Sequence, residues 1–227
     1  MLLARSTQLE IMDDASINDE RIDAALRELR LVSKWLGGRS ASRGGVRWLL
    51  RRAPSGNELS VLDVGAGGSD LAEALAALRR SLLVTALDIN ERACEYSRRM
   101  SPATRVIRGS VFDLTNEGEQ FDIIHASLFF HHLTDAQLRA LLPVLLSRAR
   151  LGIVINDLRR SGLSWMGIAL LTRLFSRSEM VKHDAPLSVH RGFSRKELVE
   201  LTNVLPHTII NIRRRWAFRW LVCIAKP

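Results

Sequence analysis

The sequence predicts an α/β fold in which a mostly parallel sheet carries helices on both of its faces. The first observation behind this prediction is that, after residue 58, short β-forming apolar runs alternate with segments of helical periodicity. Such an order is typical of parallel βαβ units. The second observation is that residues 207–227 contain two β-rich runs with almost no spacer between them. Because strands joined so closely pair antiparallel, the sheet is expected to end in a hairpin.

Two helices are expected before the first strand. Apolar residues recur at helical spacing over residues 19–36, and Gly37 and Gly38 follow as a stop signal. A shorter helix is expected over residues 45–52. Seven strands follow, at 59–65, 81–89, 104–110, 121–129, 150–157 and twice within 207–227, with helices at 71–80, 91–100, 135–148 and 195–203.

The size of the chain suits one domain with a small appendage. The chain has 227 residues, and we expect residues 1–54 to be a helical extension or cap on a domain formed by 55–227. Cys94 and Cys223 lie far apart and form no Cys-x-x-Cys motif, so neither a disulfide framework nor a zinc site is indicated. The apolar runs are too short for a signal peptide or a bilayer span. A soluble, cytoplasmic protein without stable membrane insertion is therefore expected.

The charge balance is basic. Lys and Arg number 33 against 24 Asp and Glu, a formal net charge of +9. Such a balance favours anionic partners such as nucleic acid, anionic lipid or an acidic substrate. The basic residues are scattered along the chain, which argues against a dedicated site for a polyanion.

A glycine-rich turn follows the first predicted strand, in the stretch VLDVGAGGSD at 61–70. Glycines at such a turn let the backbone approach a ligand closely, and the following helix offers free amides. The dinucleotide-binding pattern G-x-G-x-x-G would need glycine where Asp70 stands, and a carboxylate there would repel a pyrophosphate. The turn therefore favours a ligand without phosphates.

One acidic residue stands at the end of the second predicted strand and another follows the third, at a regular interval. Asp88 lies 25 residues after Asp63, and Asp113 lies 25 residues after Asp88. A carboxylate can accept two hydrogen bonds from a cis-diol. With the glycine turn and the terminal hairpin, these residues resemble the class I S-adenosylmethionine-dependent methyltransferases. The resemblance implies a Rossmann-like, doubly wound, seven-stranded sheet and S-adenosylmethionine (SAM) as cofactor.

The resemblance also implies roles for individual residues in cofactor binding. Ser69 stands where the family has the last glycine of G-x-G-x-G, and we expect its hydroxyl to cap the next helix. The residues expected to bind the methionine part and the sulfonium side of SAM are Asp63, Gly65, Ala66, Gly67, Ala126 and Ser127, and those expected to bind the ribose and adenine are Asp88, Ile89, Phe112 and Asp113.

The acceptor is expected beyond the fourth and fifth strands, where the family resemblance implies a lid over residues 160–193. Within this region, residues 180–193 are expected to be an irregular stretch between two helices. Methyl transfer needs an aligned acceptor and, for a phenol or carbon acid, a base. Asn156 and Asp157 are similar to an Asp-Asn pair of metal-dependent enzymes but in reversed order, so no metal is expected. The candidate bases are His131, His132, His183 and His190, and the candidate acceptor contacts are Asn156, Arg159, Trp165 and Arg191.

The motifs MDD, WLGG, FFHHL, NDLRRS and KHDAPLSVHRGF resemble bacterial methyltransferases of natural-product pathways, some associated with polyketide synthases. This resemblance implies a small aromatic or hydrophobic acceptor, such as a phenol or polyketide methylated on oxygen, and a monomer or homodimer. C-methylation of a quinone-like acceptor, RNA methylation and a noncatalytic cofactor-binding module stay as alternatives. Nucleic acid is disfavoured because the basic-aromatic cluster at 213–220 lies on a strand whose side chains alternate between two faces.

Overall fold

The computed structural model describes residues 4–14, 16–54, 56, 58–78, 81–115 and 117–227. Its strands are β1 Leu59–Val64, β2 Leu82–Asp88, β3 Arg105–Arg108, β4 Phe121–Ser127, β5 Ala149–Leu158, β6 Ile209–Arg215 and β7 Arg219–Ala225. They form one seven-stranded sheet in the order β3-β2-β1-β4-β5-β7-β6. β7 pairs antiparallel with both β5 and β6, and the other neighbours are parallel. The predicted α/β fold with its terminal hairpin is confirmed.

The helices are α1 Glu20–Trp35, α2 Gly38–Leu50, α3 Leu71–Leu75, α4 Glu91–Met100, α5 Asp135–Arg148, α6 Gly162–Phe175, α7 Glu179–Arg191 and α8 Arg195–Thr202. Short 3-10 turns cover Ile11–Asp13, Ala76–Leu78, Val111–Asp113 and Phe130–His132. Residues 79–80 of the predicted helix at 71–80, and residue 55 at the predicted domain boundary, lie outside the described residues.

Local capping explains why α4 and α5 occupy the predicted residues. The Asn90 side chain accepts a hydrogen bond from the backbone N–H of Ala93 at the start of α4. Thr134 and Gln137 form a reciprocal capping box at the start of α5. These bonds satisfy backbone amides that have no partner inside the helix. Side chains within three residues of the helix start therefore set where each helix begins.

Two predicted elements were wrong. The second helix begins at Gly38 rather than at residue 45. Gly45 lies inside it and faces β5, where a Cβ would come within 2.4 Å of Val154 Cγ1. The glycine that suggested a helix start therefore serves the close packing of α2 on β5. The stretch at 180–193, predicted as irregular, is mostly the helix α7. Its polar residues and Pro186 suggested a loop, but burial of Val181 and Val189 outweighs that local preference.

Helices cover both faces of the sheet. Leucines of α5 and α8 pack on one face, and apolar residues of α2 and α3 pack on the other. A third apolar cluster joins α1, α4 and α7. No helix in the described part of the chain is long and apolar enough to cross a bilayer.

Candidate functional site

A cavity of about 440 Å³ lies beside the carboxyl ends of β2 and β4. Its walls come from residues 9–13, from α1, from the glycine turn, from residues 109–112 and from α7. Ligands of doubly wound sheets bind beyond the carboxyl ends of the strands, so this is the expected position for a site. Of the residues predicted from the sequence, those that line the cavity are Gly65, Asp88, Ile89, Phe112, His131 and His132.

Asp88 has the geometry of a diol-binding carboxylate. Its Oδ2 accepts from the backbone N–H of Gly67 at 2.7 Å, and its Oδ1 accepts from the N–H of Asn90 at 2.9 Å. Burial raises the pKa of Asp88 above its ordinary value. Each carboxylate oxygen still has acceptor capacity, which the cis-diol of a ribose could fill. Ile89 and Phe112 flank the carboxylate as half-exposed apolar side chains.

The other predicted cofactor residues support the cavity rather than line it. Asp63 is buried, and its Oδ1 lies 2.6 Å from Nδ1 of His125, whose Nε2 lies 2.8 Å from Ser42 Oγ. This chain of contacts ties the sheet to α2. The remaining members of the group do not line the cavity. They belong to the glycine turn, to the 3-10 turn after β3 and to the end of β4: Ala66, Gly67, Asp113, Ala126 and Ser127.

Phe129 is a cavity residue that sequence reasoning missed. Gly65 has φ of +63°, and a Cβ built on it would lie 2.2 Å from Cδ2 of the Phe129 ring. The ring therefore lies directly against the glycine backbone. The sequence signal for it was the apolar pair that follows β4, which was interpreted only as the end of a strand.

Ser69 does not cap α3, contrary to the prediction. Asp70 holds the N-cap position, and its carboxylate pairs with Arg39 at 3.0 Å. The Ser69 side chain is buried with φ of +47°, and its Oγ has no hydrogen-bond partner among the described residues. Serine thus occupies a left-handed conformation that glycine adopts at lower cost.

We expect Ser69→Gly to raise the free energy of unfolding by about 1 kcal/mol, because it removes a left-handed serine and a buried unpaired hydroxyl. Urea unfolding of the wild type and the variant measures this difference. Ser69→Ala removes the hydroxyl but keeps the left-handed conformation, so it separates the two contributions. A Ser69→Gly variant that is less stable than the wild type would contradict the prediction.

His131 is held by a buried carboxylate. Its Nδ1 lies 2.7 Å from Asp157 Oδ1, and its backbone N–H donates to Asp157 Oδ2 at 3.2 Å. Burial opposes ionisation of Asp157, but the adjacent His131 outweighs it and keeps the pKa of Asp157 below its ordinary value. Nε2 of His131 has no hydrogen-bond partner among the described residues. The imidazole is therefore oriented through Nδ1, while its buried Nε2 makes no hydrogen bond to a described residue.

An acidic cluster from the N-terminal segment faces this histidine. Glu10 Oε1 lies 3.6 Å from His131 Nε2 and 3.9 Å from His132 Nδ1. Asp13 Oδ1 lies 2.5 Å from His132 Nδ1. Burial raises the pKa of Glu10 above its ordinary value. The ligand atoms of Glu10, His131 and His132 lie within 4.8 Å of one another, so they could hold a metal ion. The absence of a metal site stays a prediction.

The remaining candidate bases do not line the cavity. The half-exposed His183 has its Nδ1 2.8 Å from Oδ1 of Asp184, a buried residue of the cavity wall. The carbonyl of His190 accepts from the backbone N–H of Ser6. Neither histidine is among the described residues that line the cavity.

The predicted acceptor contacts also lie outside the cavity lining. Asn156 is fully buried and donates to the carbonyl of Gly38 at 3.0 Å. The guanidinium of Arg159 lies over the Phe218 ring, and Trp165 is exposed on α6.

Arg191 has a structural contact set rather than a free guanidinium. It donates to the carbonyls of His131, His132 and Gln8 and pairs with Asp13. These bonds hold the N-terminal segment against the 3-10 turn Phe130–His132, which we call the histidine turn.

Arg219 is a buried cation in the cavity wall that was missed as a site residue. Its Nε donates to the carbonyl of Leu36 at 3.0 Å, whereas its Nη1 has no hydrogen-bond partner among the described residues. Burial lowers the pKa of Arg219 to about 10. In the sequence it was only one basic residue in the cluster at 213–220, and no local pattern distinguished it from its exposed neighbours.

The family comparison agrees with this geometry. Residues 61–150 match the model of a family described as a methyltransferase domain. Residues 61–150 therefore belong to a methyltransferase domain. The predicted family and cofactor, SAM, are confirmed. No curated protein matches the chain.

Solved structures share the fold of this methyltransferase over most of its length. The plantazolicin methyltransferase BpumL in complex with SAH is 16% identical with a TM-score of 0.65, and the match covers 95% of this chain and 99% of that one. The magnesium protoporphyrin IX methyltransferase ChlM from Synechocystis PCC 6803 with bound SAM is 13% identical with a TM-score of 0.62, covering 98% and 100%. A structure described under conversion of a disulfide bond into a thioacetal group during echinomycin biosynthesis is 21% identical with a TM-score of 0.57, covering 81% and 80%.

Proposed function

We propose that this methyltransferase methylates a hydroxyl group on a small, apolar, aromatic acceptor, and that His131 accepts the hydroxyl proton. The observation that carries the proposal is that Nδ1 of His131 is held by Asp157 while its Nε2, 3.6 Å from Glu10 Oε1 in the cavity wall, makes no hydrogen bond to a described residue. A carboxylate on Nδ1 keeps the proton there and leaves the Nε2 lone pair free to act as a base. Apolar side chains of α1 and α7, such as Leu29 and Val181, support a hydrophobic acceptor.

The residues of the cavity fit the cofactor. Asp88 would accept hydrogen bonds from the ribose, and Ile89 and Phe112 would contact the adenine. The unpartnered Nη1 of Arg219 would donate to the carboxylate of the methionine part. When bound, the cofactor supplies an electrophilic methyl group on its sulfonium sulfur. The chain itself orients the acceptor, excludes water and removes the proton.

The N-terminal helical extension is proposed to act as a cap. Residues 9–13 and two residues of α1, Leu29 and Val32, form part of the cavity wall, and Arg191 bonds the N-terminal segment to the histidine turn. α7 of the expected lid region contributes the facing wall. An acceptor would therefore be enclosed between the N-terminal extension and the helices that follow β5.

The experiment uses a SAM cofactor labelled on the methyl group and a panel of phenols, alkylresorcinols, quinones and RNA. We expect label on the oxygen of a phenolic acceptor. We expect His131→Ala to lower kcat by about 10² to 10⁴ while the Kd for SAM stays unchanged, because only proton removal is lost. His183→Ala is the matched control, since His183 lies outside the cavity lining, and it should keep wild-type kcat.

Label found only in RNA, or on carbon, would contradict the proposed acceptor chemistry. Dialysis against EDTA tests the assigned role of His131 separately. We expect an unchanged rate after metal removal. A rate that is lost with EDTA and restored by a divalent cation would make Glu10, His131 and His132 metal ligands and would overturn the general-base assignment.

Arg219→Met is expected to weaken SAM binding by roughly 10- to 100-fold, which corresponds to the loss of one charge-assisted hydrogen bond. Titration calorimetry with SAM and with its decarboxylated analogue measures the contribution of the carboxylate. The wild type should prefer SAM, and the Arg219→Met variant should bind both compounds alike. If the wild type and Arg219→Met prefer SAM over the decarboxylated analogue to the same extent, the carboxylate of SAM does not bind at Arg219.

A further inference from the structure

Helix α6 has an inverted distribution of polar and apolar side chains. The side chains that it buries are Ser164 and Thr172. Its outer surface, which we call the α6 face, consists of Leu163, Met166, Leu170, Leu171, Leu174 and Phe175, and Phe175 is 77% exposed. A helix that only covers a sheet would bury this apolar face. Contiguous exposed apolar residues of this kind mark an interaction surface.

The end of α6 lies beside α1. The Glu28 carboxylate of α1 accepts from the backbone N–H groups of Arg177 and Ser178, just beyond the end of α6. Leu31 and Trp35 lie one and two turns further along α1, and Trp35 is 71% exposed.

The two helices flank the cavity. Ile168 of α6 and both Leu29 and Val32 of α1 line it. An apolar molecule held at the α6 face would therefore lie beside the site where methyl transfer is proposed.

The charge around this surface is positive. Arg173 and Arg177 are exposed on and just beyond α6, residues 158–178 contain no carboxylate, and the net charge of the chain is +9. Arg27 and Lys34 are exposed on the same side of α1 as Leu31. A second copy of the chain would bring the same positive charge to the surface and would be repelled, whereas an anionic surface is attracted.

Aromatic residues lie near the end of α1. Trp216 is 75% exposed, and a Cβ built on Gly37 would lie 3.1 Å from its Cδ1. Trp216 follows the arginines at 213–215. Tryptophan beside arginine is typical of protein segments at a membrane–water interface.

We propose that the α6 face docks on an anionic lipid bilayer. The apolar side chains enter the boundary between headgroups and acyl chains, and the exposed Arg27, Arg173 and Arg177 contact the anionic headgroups. α6 lies in the plane of the interface and does not cross it. A hydrophobic acceptor dissolved in the bilayer would then enter the adjacent cavity directly, a step that rests on the proposed function.

Flotation with vesicles tests docking without any acceptor. Phosphatidylcholine vesicles with and without 30% phosphatidylglycerol are mixed with the wild type, with Leu170→Glu and Phe175→Glu, and with Val204→Glu as matched control. Val204 is an exposed apolar residue beyond α8. We expect the wild type and Val204→Glu to float with the anionic vesicles, and fewer molecules to float at high salt. We expect the vesicle affinity of each α6 variant to be at least about tenfold lower than that of the wild type.

Folding of each variant is checked by thermal unfolding and by its Kd for SAM. Absence of wild-type binding to anionic vesicles would overturn the proposal. So would a wild-type dimer in light scattering that Leu170→Glu dissociates, because a second copy would then cover the α6 face. Because flotation needs no methyl transfer, the vesicle result does not depend on whether the proposed acceptor chemistry is correct. Vesicle binding that survives in Leu170→Glu and Phe175→Glu would assign docking to another surface.

Discussion

Asp88→Ala is expected to weaken SAM binding by at least about 100-fold. The variant loses both carboxylate oxygens that would accept from the ribose, and each hydrogen bond to a charged group contributes roughly 1.5–3 kcal/mol. It also releases the backbone N–H of Gly67, which Asp88 holds at 2.7 Å in the glycine turn. Titration calorimetry with SAM measures the change in Kd.

Asp88→Asn separates the two contributions of this residue. The amide keeps one acceptor oxygen, so it can hold either Gly67 or the ribose but carries no charge. We expect its Kd to lie between those of wild type and Asp88→Ala. Glu95→Gln on the exposed side of α4 is the matched control and should bind SAM as the wild type does. Unaltered affinity in Asp88→Ala would refute the ribose assignment.

Gly152→Ala is expected to lower the free energy of unfolding by roughly 3 kcal/mol or more. Gly152 lies in β5 with φ of +151°, and a Cβ there would come within 2.0 Å of the Ile224 carbonyl oxygen and 2.9 Å of Ala225 Cα. Both atoms belong to the backbone of the paired strand β7, so neither can move without breaking the sheet. Urea unfolding measures the loss.

Gly167→Ala is the matched control for this stability prediction. Gly167 lies inside α6, and a Cβ there would meet no atom within 4 Å. Alanine has the higher helix propensity, so the variant should be about 1 kcal/mol more stable than the wild type. If Gly152→Ala unfolds at the same urea concentration as the wild type, the close approach of β5 and β7 at this position is wrong.

The strands and the helices with strong local signals could be predicted because their determinants are close in sequence. α4 and α5 have capping residues within one turn, and the apolar runs of β1 and β5 are bounded by polar or glycine residues. α7 could not be predicted in this way. Its histidines, Asp184 and Pro186 indicate a loop locally, and the contacts that make it a helix come from α1, α6 and residues 11–13.

The cavity residues proposed for the cofactor were easier to place from the sequence than those proposed for the acceptor. Asp88 follows a strand at a fixed place in the fold, so its position in the sequence indicates its position in space. The partners of His131 come from distant parts of the chain: Asp157 is 26 residues away, and Glu10 belongs to the N-terminal segment. No periodicity or spacing relates these three residues.

The sequence by itself determined the sheet, its terminal hairpin, the family and the place of Asp88 at a strand end in the cavity wall, because strand alternation and strand-end residues are local properties of the chain. Only the tertiary structure showed that Arg191 is engaged in structural bonds and that Arg219, in the cavity wall, keeps an N–H with no partner in the described part of the chain. Both are arginines in basic segments of the sequence. What distinguishes them is burial and the supply of nearby acceptors, which arise only when distant elements pack together.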